Sequence, residues 1–499
     1  MPENSAYNDL VDLFRRIGII NDAIAILDWD QSTMMPEGSA SSRSEQLATL
    51  SVLSHDLLTQ PKISELLDKV EVNNGGIDAW KVANVAGMKR AHLHAISVPA
   101  GLIKAQSQAN SSCQMEWRKA KQESDFSSLI PSLKEVIEIT REVSIAKSEK
   151  LGLSPYDSLL DTYEPGCRSE TIDEVFSDHE NFLSGFLGEV MEFQSRQPKT
   201  IPLKGPFSID KQKRLGTEFM KDFGFDFTRG RVDVSLHPFC GGGLNDVRIT
   251  TRYDENDFTS SLMGVLHETG HAIYEHGLPE SWSYQPVGSA WGMAMHESQS
   301  LLVEMQVCRS HSFMIYAAPI IKRAFSGSGA AWEVDNLYRL YTRVNPGFIR
   351  VDADEVTYPA HIILRYRLER ALISNDLLVA DLPVAWNEGM ASLLGITPPN
   401  DSLGCLQDIH WPSGSFGYFP TYTIGAVAAA QFYSAAKKQL NDLEDEISKG
   451  KFKSLLDWLH SNIHSKGSLL SAEELLLTAS GNNLNIKVFQ EHLQRRYLH

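Results

Sequence analysis

His267 and His271 stand four residues apart in VLHETGHAIYEHG, with Glu268 directly after the first. Residues four apart share one face of a helix, so both imidazoles can be aimed at a single ion. Glu268 then projects beside that ion, where its carboxylate can take a proton from a metal-activated water. The chemistry predicted is zinc-assisted hydrolysis. Val265, Leu266, Thr269, Gly270, Ala272 and Ile273 around the trio are all uncharged, as suits a buried ligand helix. The spacing predicts a helix from about Phe258 to His276, with Asp257 as N-cap and Gly277 as a left-handed glycine that ends it.

Catalytic zinc usually takes three protein ligands and keeps one position open. HETGHAIYEHG lacks a third histidine at the HxxGxxH spacing. Glu275 lies one turn past His271, too far along the axis to complete the same tetrahedron. Glu297, in AMHESQSLLVEM, follows His271 by 26 residues and sits in a second helical run, which leaves room for a loop and an antiparallel return. On the residues alone, Glu297 as a ligand and Glu297 as a solvated helix residue both remain open.

The elements that must hold these groups are mostly helices. In Pro131 to Lys150, Leu133, Val136, Ile137 and Val143 fall on one face, opposite Lys, Glu and Arg. Similar stripes run through Tyr7 to Asp28, Thr171 to Phe193, Trp332 to Val344 and Ala426 to Ser448, and core packing is their ordinary meaning. One interval differs. RVDVSLHPF and DVRITTRY alternate apolar and polar residues around CGGGLN, which predicts a small antiparallel sheet, joined by a hairpin-like turn, just before the HETGH helix. No repeat, linker or domain boundary is visible. The chain reads as one domain over 1–499, with an N-terminal helical half of about 1–200 and a catalytic half of about 201–499.

The 499 residues carry a formal charge of −17, which argues against a nucleic-acid partner. Five scattered cysteines without a CxxC argue against a disulfide framework and against thiolate zinc. The N-terminus, with Glu3, Asp9 and Asp12, reads as neither signal nor transit peptide. The apolar stretch near Ala426 to Phe432 is too short to span a bilayer. A cytoplasmic protein with no membrane partner is the expectation.

Together these segments resemble the carboxypeptidase Taq family of zinc metallocarboxypeptidases, within the HExxH-plus-Glu group. HPF at His237, DVRIT at Asp246, HETGH, HESQS, IRVDAD at Ile349 and GCLQDIHW at Gly404 occur in the family's order. DWDQSTMMPEGS near Trp29 and YDSLLDTYEPG near Tyr156 also look like family segments. The resemblance implies a mainly α, elongated fold with a long substrate groove, related to neurolysin and angiotensin-converting enzyme. It implies Glu297 as third ligand, one zinc per chain that an ion such as Co2+ can replace, homodimers, and release of single C-terminal residues with broad preference. It nominates Arg350 to pair with the free carboxylate of a peptide, a geometry that suits a guanidinium. Arg248 is a weaker candidate, because a strand arginine is more often a structural ion-pair partner. His237 could hold the substrate main chain at the sheet edge.

His410, Tyr418 and Tyr422 in IHWPSGSFGYFPTY are possible donors to an oxyanion. Analogy with neurolysin-like enzymes favours His410 and Tyr422; the alternative is that these rings pack a glycine-rich loop. Two rival functions stand beside the carboxypeptidase. A zinc endo- or oligopeptidase would have no use for a carboxylate anchor at Arg350. A silent zinc-stabilised peptide-binding scaffold would have no need of Glu268.

Overall fold

The periodic segments fold as helices that mostly outrun the stripes marking them. In the computed structural model, which describes residues 3–72, 78–235 and 238–499, four of the five stripes fall within or across helices Glu3–Thr33, Phe126–Leu151, Ser169–Ser195 and Pro420–Gln439. Capping explains several of the starts. Asp125, Ser154 and Asp257 each accept a backbone N–H of the first turn, so that one of the orphan donors there is satisfied. Two stripes are shorter than their periodicity suggests. The segment from Ala426 breaks at Gln439, and a separate helix runs Leu443–Ser448. The segment from Trp332 becomes a short 3-10 turn followed by the helix Val334–Tyr341.

The sheet departs from the expected hairpin of RVDVS with DVRIT. Strands β1 (Gly230–Val234), β2 (Cys240–Gly243) and β3 (Asp246–Thr251) are arranged in the order β1-β3-β2. β1 runs parallel to β3, with Val232 opposite Ile249, and only β2 is antiparallel to it, with Cys240 opposite Ile249. The glycine run is thus itself a strand. A Cβ on Gly242 would overlap the Asp246 carbonyl oxygen, so close β2–β3 pairing needs glycine there. The turn falls instead at Leu244 and Asn245, where Asn245 takes a left-handed φ of 59°. With β2 on one side of β3, β1 takes the other side. Leu236 and His237 lie outside the described residues, so the expectation for His237 meets no structure here.

One face of β3 buries Val247 and Ile249 against Val265 and Ala272 of the helix Phe258–Gly277. This sets the histidine helix against the sheet. The largest core draws on residues 98–190 and 294–497 together. A second core gathers Leu262, Leu266 and Tyr274 of the histidine helix with Phe313, Phe432 and Leu475. Helices Gly292–Leu301 and Pro420–Gln439 feed both cores: Ala294 and Val427 belong to the first, Met295 and Ala428 to the second. The two helices therefore lie between the cores. Among the described residues, no helix is long and apolar enough to cross a membrane.

Candidate active site

The histidine helix and the helix Gly292–Leu301 touch through their backbones. A Cβ on Gly270 would lie 2.6 Å from Gln299 O and from Ser300 Cα, so the glycine of HETGH sets that approach. On the far side, a Cβ on Gly425 of the helix Pro420–Gln439 would lie 2.8 Å from Glu297 Cβ. Close contact on both sides brings Glu297 to the histidines. Its Oε2 lies 3.5 Å from His271 Nε2 and 3.9 Å from His267 Nε2. Among the described residues, His267, His271 and Glu297 offer three ligand atoms within 4.8 Å of one another. Glu275 is absent from this set, as its place along the helix requires.

Each histidine is oriented from behind. His267 Nδ1 donates to Glu304 Oε2 at 3.0 Å, and Glu304 in turn accepts from Arg309 at 2.7 Å. His271 Nδ1 meets His296 Nδ1 at 2.6 Å, and His296 Nε2 meets Glu275 Oε1 at 2.7 Å. If His296 donates to the Glu275 carboxylate, its Nδ1 is an acceptor for the N–H of His271. Once His267 gives up its second proton to a bound dication, both ligand histidines turn a bare Nε2 toward Glu297, the tautomer a metal needs. Glu304 reaches His267 from a π-helix, Leu302–Cys308, that continues the glutamate helix; such wide turns are common at functional sites.

The donor set fits a dication. Burial opposes charge on His267, yet the Glu297, Glu304 and Glu268 carboxylates push its pKa up to about 10. A cluster that draws a proton against burial offers a divalent ion a stronger version of the same attraction. His271, depressed to about 4 by burial and by His296, stays neutral and able to ligate. Glu268 is 5% exposed and its Oε2 has no hydrogen-bond partner among the described residues. Burial foremost, with Glu297 and Glu304 adding to it, pushes the Glu268 carboxyl up to about 7. A free, basic oxygen beside the donor set suits a general base.

The IRVDAD and GCLQDIHW segments meet at the same place. Gln407 Oε1 accepts Arg350 N at 2.8 Å, while Gln407 Nε2 donates to Phe348 O at 3.0 Å. Arg350 is 6% exposed. Its Nε and Nη2 donate to Asp408 Oδ1 at 3.1 and 2.9 Å, and Nη1 donates to Tyr358 Oη at 2.9 Å. Asp408 also accepts from the buried Arg365 at 2.6 Å. Burial notwithstanding, these two guanidinium groups hold the Asp408 carboxyl well below its usual range. Arg350 Cζ lies 4.9 Å from the centre of the Tyr422 ring.

Tyr422 Oη and His410 Nε2 are 3.3 Å apart, and the Tyr418 ring packs edge-on to Tyr422 at 5.3 Å. Tyr422 lies three residues before Gly425, on the helix face that meets Glu297. The Glu297 charge raises the pKa of Tyr358, Tyr418 and Tyr422 alike, after burial as the larger cause. The metal donors, Glu268, Arg350, His410, Tyr418 and Tyr422 therefore form one neighbourhood. Arg248 is engaged elsewhere. It pairs with Asp246 at 2.6 Å and stacks 4.3 Å over Trp29.

Sequence reasoning did not single out His296, Glu304, Arg309, Asp408, Tyr358 or Glu164. A signal existed for Glu304, which follows Glu297 by seven residues and so shares its helix face. Asp408 sat inside a quoted motif without a role. Glu164, from YDSLLDTYEPG, accepts Ala294 N at 2.8 Å and so holds the start of the glutamate helix. Gly277 ends no helix in a left-handed turn. It is the last helical residue, and a Cβ there would strike His464 at 2.7 Å, so close packing is the reason for glycine.

Residues 9–497 match the carboxypeptidase Taq (M32) metallopeptidase family. The chain is 36% identical over 509 aligned residues to thermostable carboxypeptidase 1 of Thermus thermophilus, covering 100% of this chain and 99% of the relative. It is 33% identical to carboxypeptidase 1 of Bacillus subtilis, over 98% of this chain and 97% of that one. Among solved structures, Trypanosoma cruzi metallocarboxypeptidase 1 superposes with a TM-score of 0.97 at 39% identity, covering 99% of this chain and 100% of that one. Pyrococcus furiosus carboxypeptidase superposes with a TM-score of 0.94 at 35% identity, over 99% of both chains. The chain belongs to the carboxypeptidase Taq (M32) family of metallopeptidases and is a peptide hydrolase of the carboxypeptidase class.

Proposed function

We propose that this chain removes single residues from the free C-termini of peptides, with one zinc ion held by His267, His271 and Glu297 and with Glu268 as general base. The carrying observation is three ligand atoms within 4.8 Å beside a buried Glu268 oxygen that lacks a partner among the described residues. When bound, the metal supplies a lowered water pKa and polarises the scissile carbonyl. An ion such as Co2+ can take its place.

Glu268 takes the proton of the attacking water and returns it to the leaving amine. Tyr422, whose pKa burial pushes up to about 12, keeps its proton at neutral pH and donates it toward the developing oxyanion, with His410 as partner. Tyr418 braces Tyr422 through its ring. Arg350 reads the substrate carboxylate. Three of its five N–H donors are occupied by Asp408 and Tyr358, which leaves one on each Nη for a two-pronged contact. Arg248, fixed by Asp246 and Trp29, supports the sheet instead. His237 is assigned, from the sequence alone, to holding the substrate main chain.

The same reading takes the chain as one domain over 1–499, working as a homodimer in the cytoplasm, with a neurolysin-like groove for peptides. Digestion of a mixed peptide pool followed by mass spectrometry tests the function. Stepwise losses of one residue from free C-termini are expected. Internal fragments from peptides blocked at the C-terminus would assign the chain to the oligopeptidases instead.

A further inference from the structure

We propose that Arg496, on the helix Ile486–Tyr497, is a positioning residue for the metal centre: it grips the π-helix backbone beside Glu304 and so fixes the carboxylate that orients His267. The proposal rests on reading His267, His271 and Glu297 as the metal ligands. The Glu304 carboxylate meets His267 Nδ1 at 3.0 Å. A drift of about 1 Å would take it out of hydrogen-bond reach. Its place depends on the backbone of Leu302–Cys308, a wide turn, and the last carbonyls of a helix lack an N–H of their own helix to accept from. Two of these carbonyls, on Met305 and Gln306, directly follow Glu304 in the chain. Both accept from Arg496: Nη1 donates to Met305 O, and Nη2 donates to Gln306 O at 2.9 Å.

Arg496 is itself held in place. Its Nη1 also donates to Glu355 Oε2 at 3.0 Å, and the two side chains are 7% and 3% exposed. Glu355 accepts as well from Tyr497 Oη at 3.0 Å, from His492 Nε2 at 2.8 Å and from Gln306 Nε2 at 3.2 Å. Gln306 is thus gripped at its carbonyl by Arg496 and at its side chain by Glu355. His492 and Arg496, four residues apart, share one face of their helix. Phe489, Leu493 and Tyr497 fasten that helix into the largest core. A planar guanidinium can serve two carbonyls and a carboxylate together, because its donors are spread over separate nitrogens. The line of contacts therefore runs from Arg496 through the π-helix backbone to Glu304, and from Glu304 to the ligand His267.

Chelator competition for zinc, with the melting temperature measured on the same full-length samples, tests this. Arg496→Met keeps the aliphatic stem and leaves Glu355 with Tyr497, His492 and Gln306. It should weaken zinc by about 3- to 10-fold, less than the roughly 10- to 100-fold lost with an outer carboxylate itself. Arg496→Lys restores a charge beside Glu355 without the fork. It should recover most of the melting temperature and only part of the zinc affinity. Tyr497→Phe loosens Glu355 without touching the π-helix carbonyls, so it should lower the melting temperature and keep zinc affinity within about twofold of wild type. In a Glu304→Ala background, Arg496→Met should add less than about twofold, because the carboxylate through which it acts is gone. Zinc affinity unchanged in both Arg496 variants overturns the proposal. So does an equal loss in Tyr497→Phe, or a full further loss on top of Glu304→Ala, since either marks general loosening. Wild type that binds no zinc would overturn the ligand reading itself, and this proposal with it.

Discussion

Replacing Arg350 by alanine tests the carboxylate anchor. The guanidinium is 6% exposed, so its contact with a substrate carboxylate would be made away from water. Truncating one partner of such a pair costs about 2–5 kcal/mol, which is roughly 30- to 5,000-fold in kcat/KM. The fold should survive, because Asp408 keeps Arg365 at 2.6 Å and is not left buried and unpaired. A second, smaller loss comes through Tyr422, whose ring loses the cation held 4.9 Å from its centre. A contact of that kind is worth about 0.5–1 kcal/mol, a few-fold in rate. The assay compares wild type and Arg350→Ala on a matched pair of peptides, one with a free C-terminus and one amidated. The free acid should fall by the full factor, and the amide, already slow with wild type, by only the few-fold share that passes through Tyr422. The difference is a coupling energy that isolates the carboxylate contact. A coupling near zero in a folded, metal-loaded variant would remove Arg350 from that role. Equal wild-type rates on acid and amide would refute exopeptidase action itself.

Three other perturbations follow from the geometry. Glu297→Ala should leave the protein empty of metal after dialysis, whereas Glu275→Ala, which reaches the ligand His271 only through His296, should retain it; metal analysis decides between them. Glu304→Ala removes the carboxylate that holds His267 Nδ1, and chelator competition should show metal affinity lower by about 10- to 100-fold. Glu369→Gln addresses a carboxyl that burial pushes up to about 8 while it accepts Gly417 N at 2.8 Å. The folded pKa exceeds the unfolded value of about 4.3, so wild type loses up to about 1.4 kcal/mol of stability per pH unit between them. The glutamine does not titrate, so its melting-temperature advantage should widen from pH 5 to 8 and then level off.

What the sequence made legible was local. His267, Glu268 and His271 could be assigned because helical spacing alone fixes their common face, and Asp257 because a cap acts within one turn. Glu297 needed more, since its approach depends on Gly270 and Gly425, glycines of two different helices packed against a third. No local pattern states that. Glu275 looked like a spare acid and proves to be the far end of a relay through His296, a link that spans two helices. The π-helix that carries Glu304 has no plain signature, because its register is set by tertiary packing. Alternation in RVDVS and DVRIT marked both strands correctly, yet strand partners follow from three-dimensional fit. The glycines at 241–243 read as a turn and form the strand between them in sequence.

The general base is the step on which the chemistry turns, and Glu268→Gln measures it most directly. The amide keeps the shape of the side chain and cannot accept a proton at neutral pH. Metal content and single-turnover hydrolysis should be measured on the same sample. The predicted result is a full equivalent of bound metal with hydrolysis slowed by at least about 10²- to 10⁴-fold. A metal-loaded variant that turns over within a few-fold of wild type would show that Glu268 does not move the proton.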